Sequence, residues 1–481
     1  MEKENKILIA NSLDEGDKKE KFVPFREGEA GIYVCGPTVY DVPHLGHIRS
    51  AYVFDVIRRY LESRKYKVKF VRNITDIDDK IINKAKKEFP DKDINDAVRL
   101  VAEKYLKSYH ECMNKLDIKE PDFEPKATEY IDKMILFIQG LITRGAAYES
   151  GGDVYFDIAK AKDYGKLSNQ SLDEMEAGSR INSGDKKKNP LDFALWKAAK
   201  EGEPYWESPW GRGRPGWHIE CSVMSSDILG DEFDIHGGGI DLIFPHHENE
   251  IAQSEGMGKK FARYWIHNGL LTIKGQKMAK SLGNFVTIEE IISRHYPLDI
   301  LKLLFLQTHY SHPVDFTWEK MDEIKKSYER IYILREKLIK EYGVVDIDRI
   351  ISSGAGSIYE FKERFNQAMD DNFNTAGALA VLFDMINRCN VLLNSDEPLK
   401  PFMLKAALSI MKEMAYAFGL SFFQEDLLDC EKWQIEEKIN LRLEYKKQKK
   451  FKEADEIRKK LEAKGIVLED TKEGTTWRRK L

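Results

Sequence analysis

Two short segments of the chain carry residue types suited to phosphate chemistry. His44-Leu45-Gly46-His47 stands where a Gly/Pro-rich loop gives way to a helical pattern. The free N–H groups and dipole of a helix start attract phosphate, and two imidazoles there can donate to phosphate oxygens as charge builds at an α-phosphorus. The same tetrapeptide also reads as a packed or capping pair. Lys277-Met278-Ala279-Lys280-Ser281 follows more than two hundred residues later. Two lysines three apart, with Ser281 and Gly283 beside them, suit a loop that sets ammonium charge against a triphosphate. Taken alone this is a solvated basic turn, but the order of the two motifs along one chain strengthens both readings.

A third group is Cys35, Cys221, His246 and Glu250. The last two are four apart, so on a helix they share one face. Two thiolates, an imidazole and a carboxylate suit a tetrahedral zinc ion with bonds of ~2.0–2.3 Å. No Cys-x-x-Cys knuckle is present, and separately buried Cys and His residues would show the same spacing. Gly237, Gly238 and Gly239 would let the backbone approach adenosine closely, with Asp241 accepting from ribose hydroxyls or an amino acid's ammonium. A plain Gly-rich turn after a strand fits equally well.

The elements that must position these residues can be read from periodicity. GIYVCGPTVYDVPHLGHIRSAYVFDVIRRYLESR reads as a short buried strand ending near Cys35, a loop, and a helix with Val53, Ile57 and Leu61 on one face; KVKFVRNITDIDD supplies a second strand. This is the opening of a parallel sheet, whose ligands sit at the carboxyl ends of the strands. The expected fold class is α/β: a nucleotide-binding parallel-sheet (Rossmann-like) catalytic domain split by an insertion, followed by an α-helical bundle and a small mixed α/β C-terminal domain. The expected boundaries are 22–147 and 215–265 for the two halves of the sheet domain and 148–214 for the insertion. A region carrying KMAKS follows at 266–320, then the bundle at 321–425 and the C-terminal domain at 426–481. Gly465 is placed as a helix C-cap before two short strands.

With 481 residues, 42% of them hydrophobic and 33% charged, the chain is expected to form several globular units. No stretch of about 20 uninterrupted apolar residues suggests a membrane span, the N-terminal segment lacks a secretory h-region, and a cytoplasmic location is expected. The five cysteines are odd in number and far apart, which argues against a disulfide framework; Cys112, Cys389 and Cys430 are read as buried thiols. Net charge is −5, but residues 431–481 hold 16 Lys and Arg against 11 Asp and Glu, or +5, leaving −10 for the rest. Only the tail has the balance expected of an RNA-contacting surface.

HLGH followed by KMAKS resembles the signatures of class I aminoacyl-tRNA synthetases, usually written HIGH and KMSKS, with Leu45 in place of Ile and Ala279 in place of Ser. GIYVCGPTVYDVPHLGH, NITDIDDKI, GRPGWHIECSVMS, FDIHGGGIDLIFPHHENEIAQS and GIVLEDTKEGTTWRR resemble the cysteinyl-tRNA synthetase family in the family's order, over about residues 31 to 481. The resemblance implies one zinc ion per chain on Cys35, Cys221, His246 and Glu250, and Mg2+ entering with ATP. It implies catalytic roles for His44, His47, Lys277 and Lys280, and ATP contacts from His44, His47, Gly237, Gly239, Asp241 and Lys280. Cysteine would meet Gly36, Thr75, Trp217 and His236, with His218 and His247 as polar neighbours. Phe451, Asp455, Arg458 and Asp470 would read the anticodon, Phe451 standing where many relatives have Trp. The implied activity is ligation of L-cysteine to tRNA(Cys) with ATP by a monomer that needs no membrane. Two rivals are a cysteine ligase of mycothiol synthesis, which does not resemble the last hundred residues, and a non-catalytic nucleotide- or RNA-binding scaffold. Retention of both histidines, both lysines and all four ligands argues against the second.

Overall fold

The computed structural model describes residues 6–14, 18–171, 186–278, 285–343, 356–422, 429–448, 450–463, 466–471 and 474–479. The first apolar run forms β1 (Glu29–Val34), the pattern after it α1 (Leu45–Ser63), and the second run β2 (Lys67–Arg72). After a long excursion the chain returns as α2 (Trp217–Leu229), β3 (Glu232–Gly239), α3 (Glu248–Gly256) and β4 (Phe261–Asn268). The four strands are parallel in the order β4-β3-β1-β2.

Alternation along these strands sorts their side chains to two covered faces. Ile32, Val34, Ile235 and Ile266 pack with α1, whereas Tyr33, Val71, Phe233 and Trp265 pack with Cys221 and Met224 of α2 and Ile251 of α3. The chain leaves β1 toward β2 and leaves β3 toward β4, in opposite directions across the sheet. A crevice therefore opens between the carboxyl ends of β1 and β3, the switch point where ligands bind in such sheets.

One expectation fails here. Gly237, Gly238 and Gly239 are not a turn but the end of β3, paired with Ile266, His267 and Asn268 of β4. The requirement is close approach: a Cβ on Gly237 would lie 2.2 Å from the Phe54 ring of α1, and one on Gly238 would lie 2.8 Å from His247.

The excursion contains a separate antiparallel sheet of Ala147–Ser150, Asp153–Phe156, Phe193–Ala198 and Gly213–Pro215, and its last strand delivers the chain to the start of α2. Beyond β4, β5 (Leu271–Ile273), β6 (Gln276–Lys277) and β7 (Val314–Phe316) form a three-stranded sheet in the order β6-β5-β7. The helices α4 (Trp318–Tyr342), α5 (Gly356–Asp370), α6 (Thr375–Leu393) and α7 (Lys400–Phe418) then share one continuous core with α1. By length and composition α6 could cross a membrane, and its Leu379, Leu382, Met385 and Ile386 lie in that bundle core. The chain ends with α8 (Asp429–Lys447), α9 (Phe451–Ala463), β8 (Ile466–Thr471) and β9 (Gly474–Arg479), which enclose a core of their own. The expected cap at Gly465 lies outside the described residues.

Candidate active site

Four segments bring the proposed metal donors together at the switch point. Cys35 follows β1, Cys221 is on α2, His246 lies in the turn before α3 and Glu250 is in its first turn. The donor atoms close a ring: Cys35 Sγ to Cys221 Sγ 3.6 Å, Cys221 Sγ to His246 Nε2 3.6 Å, His246 Nε2 to Glu250 Oε1 3.1 Å, and Glu250 Oε1 to Cys35 Sγ 3.5 Å. Tetrahedral zinc with such ligands has edges of ~3.3–3.8 Å; the three edges that involve sulfur fall in that range, and the His246–Glu250 edge, at 3.1 Å, would open slightly around an ion. Burial pushes the Cys35, Cys221 and Glu250 protons to high pKa and holds His246 neutral. Donors that each resist charge separately are stabilised together by a divalent cation.

Cys35, His236, His247 and Glu250 also converge. The two histidines have other work. His236 Nε2 lies 2.8 Å from Glu250 Oε2, so its N–H holds the carboxylate with Oε1 toward the ring. His247 places Nε2 3.3 Å from Cys35 Sγ and Nδ1 2.8 Å from His267 Nε2, and His267 continues to Ser12 Oγ at 2.8 Å. His218 Nδ1 meets His246 Nδ1 at 2.9 Å, and burial pushes the His218 pKa down to about 3, so His218 stays neutral and its Nδ1 can accept a hydrogen bond from the N–H that His246 carries on Nδ1 when Nε2 faces a metal. Such outer partners fix ring orientation and tautomer.

Around the ring lie the residues expected to meet cysteine. Trp217 stacks on His246 with centroids 4.1 Å apart and remains partly exposed. Thr75 donates to Glu220 Oε2 at 2.7 Å, and the Gly36 N–H donates to Asn73 Oδ1 at 2.8 Å. Asp241 is exposed just beyond β3.

At the other motif, His44 caps α1. Its Nδ1 accepts from the Gly46 N–H at 3.0 Å, and His47 Nδ1 accepts from the His44 N–H at 3.3 Å, a reciprocal capping box made by two imidazoles. Capping and phosphate binding are therefore compatible readings: with each Nδ1 accepting, the ring proton sits on Nε2, the tautomer that can donate outward. The two rings stack at 3.8 Å. Lys277 ends β6; its side chain and Lys280 lie outside the described residues.

Residues 21–326 match the family model of the tRNA synthetases class I (C) catalytic domain, and residues 364–424 match that of the DALR domain. The chain is 48% identical to a cysteine–tRNA ligase of Sulfurihydrogenibium sp., covering 98% of this chain and 99% of the relative. The chain belongs to the class I cysteine–tRNA ligase family. A ligase of Thermococcus onnurineus is likewise 48% identical, over 98% of this chain and 99% of its own. Among solved structures, Mycobacterium tuberculosis methionyl-tRNA synthetase in complex with methionyl-adenylate shares the fold with a TM-score of 0.59 at 14% identity, over 81% of this chain and 90% of that one.

Within this cysteine–tRNA ligase fold, Phe451, Asp455 and Arg458 lie at helical spacing on one exposed side of α9. Asp470 differs from them. Arg442 grips both of its oxygens at 2.9 Å, and Lys446 and Thr475 add contacts at 2.8 and 2.6 Å. Sequence reasoning singled out neither Asn73 nor Glu220, although both lie inside family-like motifs, and it missed His267, which sits in a strand with no motif to mark it.

Proposed function

We propose that this chain activates L-cysteine with ATP to cysteinyl-adenylate and transfers the cysteinyl group to the 3′ end of tRNA(Cys), working as a cytoplasmic monomer with one zinc ion and with Mg2+ accompanying ATP. The observation that carries the reading is the closed ring of Cys35, Cys221, His246 and Glu250 at the sheet's switch point, beside a capped HLGH turn. A zinc ion bound there would supply a soft acceptor for a substrate thiolate, a position that the hydroxyl of serine fills poorly.

The chain's own residues do the rest. Trp217, Thr75, Gly36 and His236 enclose the side of the ring where cysteine would lie. Gly237, Gly239 and Asp241 border the space for adenosine and ribose. The α-carboxylate of cysteine attacks the α-phosphorus in line and pyrophosphate leaves. His44 and His47 donate from Nε2 to the phosphate oxygens, and Lys277 and Lys280 bring positive charge to the developing transition state. A ribose hydroxyl of the tRNA's terminal adenosine then attacks the carbonyl of the adenylate, forming the ester as the anhydride bond breaks and AMP leaves. Phe451, Asp455, Arg458 and Asp470 are assigned to the anticodon end, where Phe451 offers a stacking surface to an unpaired base.

The test is cysteine-dependent ATP–pyrophosphate exchange and charging of transcribed tRNA(Cys), each repeated with serine. Serine should be disfavoured by about 10⁴-fold or more, because a site built for one polar contact leaves its partners unmatched when that contact is missing. Comparable exchange with serine would overturn the thiol-reading role.

A further inference from the structure

Arg49 lies two residues past the HLGH turn on α1 and is 1% exposed. Among the described residues its hydrogen-bond partners are main-chain carbonyl oxygens: Gly269 at 2.5 Å, Leu270 at 2.7 Å, Tyr310 at 3.1 Å and His312 at 2.5 Å. They belong to two adjacent segments, one running from β4 into β5 and the other leading into β7, the strand that pairs parallel with β5. The Gly269 N–H donates to Tyr310 O and the Val314 N–H to Leu270 O. The approach is tight: a Cβ on Gly269 would come within 2.4 Å of the His312 carbonyl. A guanidinium offers five donors in a planar fork, and here the fork collects four converging carbonyls that would otherwise face one another away from water. Burial lowers the Arg49 pKa to about 10, which leaves it charged at neutral pH.

The consequence lies downstream along the chain. From this contact, β5 runs three residues, turns at Lys274 and Gly275, and returns as β6, which ends on the first lysine of KMAKS. Asp315 of β7 holds that turn by accepting from the Gly275 N–H at 2.7 Å and the Thr272 hydroxyl at 2.8 Å. On the far side of KMAKS, the Phe285 ring meets His44 edge-on at 5.5 Å, and the Val286 carbonyl accepts from the Leu45 N–H at 3.3 Å. Both described flanks of the motif are thus moored to the first two turns of α1, one through Arg49 and the other at HLGH itself.

We infer that Arg49 is a positioning residue for adenylate formation: it sets the root of the β5–β6 strand pair, and with it Lys277, against the HLGH turn. The inference rests on the proposed function. Arg49 reaches no reacting atom and acts through the carbonyls of Gly269 and Leu270. A lysine there presents its donors from a single point and cannot span both adjacent segments.

The test is a double-mutant cycle in cysteine-dependent ATP–pyrophosphate exchange with the wild type, R49M, R49K, K277A and the two double variants. Circular dichroism, melting temperature and zinc content serve as folding controls. R49M should lower kcat by on the order of 10²-fold, the scale of a misplacement of about 1 Å. R49K should lower it by about tenfold, with KM for cysteine held within about a factor of two and zinc content unchanged. In the K277A background either Arg49 change should cost less than about threefold, because the group it positions is gone. An equal cost in both backgrounds, or wild-type kcat in R49K, overturns the inference. If R49M does not fold, R49K supplies the cycle. Absence of cysteine-dependent exchange in the wild type would remove the proposed function and this inference with it, whereas an additive cycle in an active enzyme removes the inference alone.

Discussion

At the carboxyl edge of the central sheet, Cys221, His236, His246, His247 and Glu250 are at most 1% exposed, and each has a polar partner from another element. In residues 429–479 the arrangement is reversed. Phe451 is 61% exposed, Asp455 and Arg458 are also exposed, and the core beneath them is built on Ile435, Ile439, Leu461, Ile466 and Leu468. The first region is organised before any ligand arrives, because burial makes an unpartnered polar group costly and these side chains bond to one another across elements. The second keeps Phe451, Asp455 and Arg458 at the surface, where the proposed anticodon role would have nucleic acid cover them, while Asp470 is already held by Arg442, Lys446 and Thr475. A change in the first region should propagate to the whole site; a change in the second should subtract one contact.

The largest effect expected from that contrast is at Cys221. Cys221→Ser should abolish stoichiometric zinc and lower cysteine-dependent exchange by on the order of 10³-fold, since a tetrahedral site loses a thiolate. Zinc analysis and exchange on the same sample decide it, and full occupancy with unchanged activity would reject the ligand set. His218→Ala removes only the acceptor behind His246 and should weaken zinc affinity by about 10–100-fold, read by competition with a chromophoric chelator. An unaltered affinity would mean that the His218–His246 contact does not hold the ring. In the exposed region, Phe451→Ala should cost about 1–3 kcal/mol of tRNA binding and leave pyrophosphate exchange untouched. Equal tRNA affinity would break the contrast, leaving α9 as a solvated helix.

The smallest effect concerns acid. Contacts from Arg442, Lys446 and Thr475 hold the Asp470 carboxyl well below the usual carboxylate range. A carboxylate with a depressed folded pKa stabilises above its unfolded pKa of about 3.9, and this contribution is lost as pH falls below that value. Hydrogen exchange in peptides from 466–479 should therefore accelerate, relative to intrinsic rates, between about pH 5 and pH 3. Asp470→Asn should flatten that dependence. A variant as pH-sensitive as the wild type would show that the clamp contributes nothing.

What could be read from the sequence was local. β1, β2 and the cap at His44 follow from runs of five to twenty residues whose periodicity or end signals lie within the run. The four donors could be named because each sits in a family-like motif, although spacing alone gave no reason for Cys35 and Cys221 to meet across 186 residues. The three glycines of β3 were misread because glycine ordinarily weakens a strand; the Phe54 ring that requires Gly237 belongs to α1, remote in the chain. His218 and His247 were legible as polar neighbours of the site, though not which ligand each contacts, and His267 was missed, since their partners come from other elements. Arg49 and the Asp470 clamp were invisible for the same reason.

The strand order has a consequence for how the protein is made. β1 pairs with β2 almost at once, but its other neighbour, β3, begins 160 residues after β2 ends. At ~5–20 residues per second a ribosome takes roughly 8–30 s to supply it. Throughout that interval the nascent chain carries an open strand edge at Ile32–Val34 and, immediately beyond it, the bare thiol of Cys35. Synthesis is thus a period in which this edge and thiol lack the partners that β3 and Cys221 later supply.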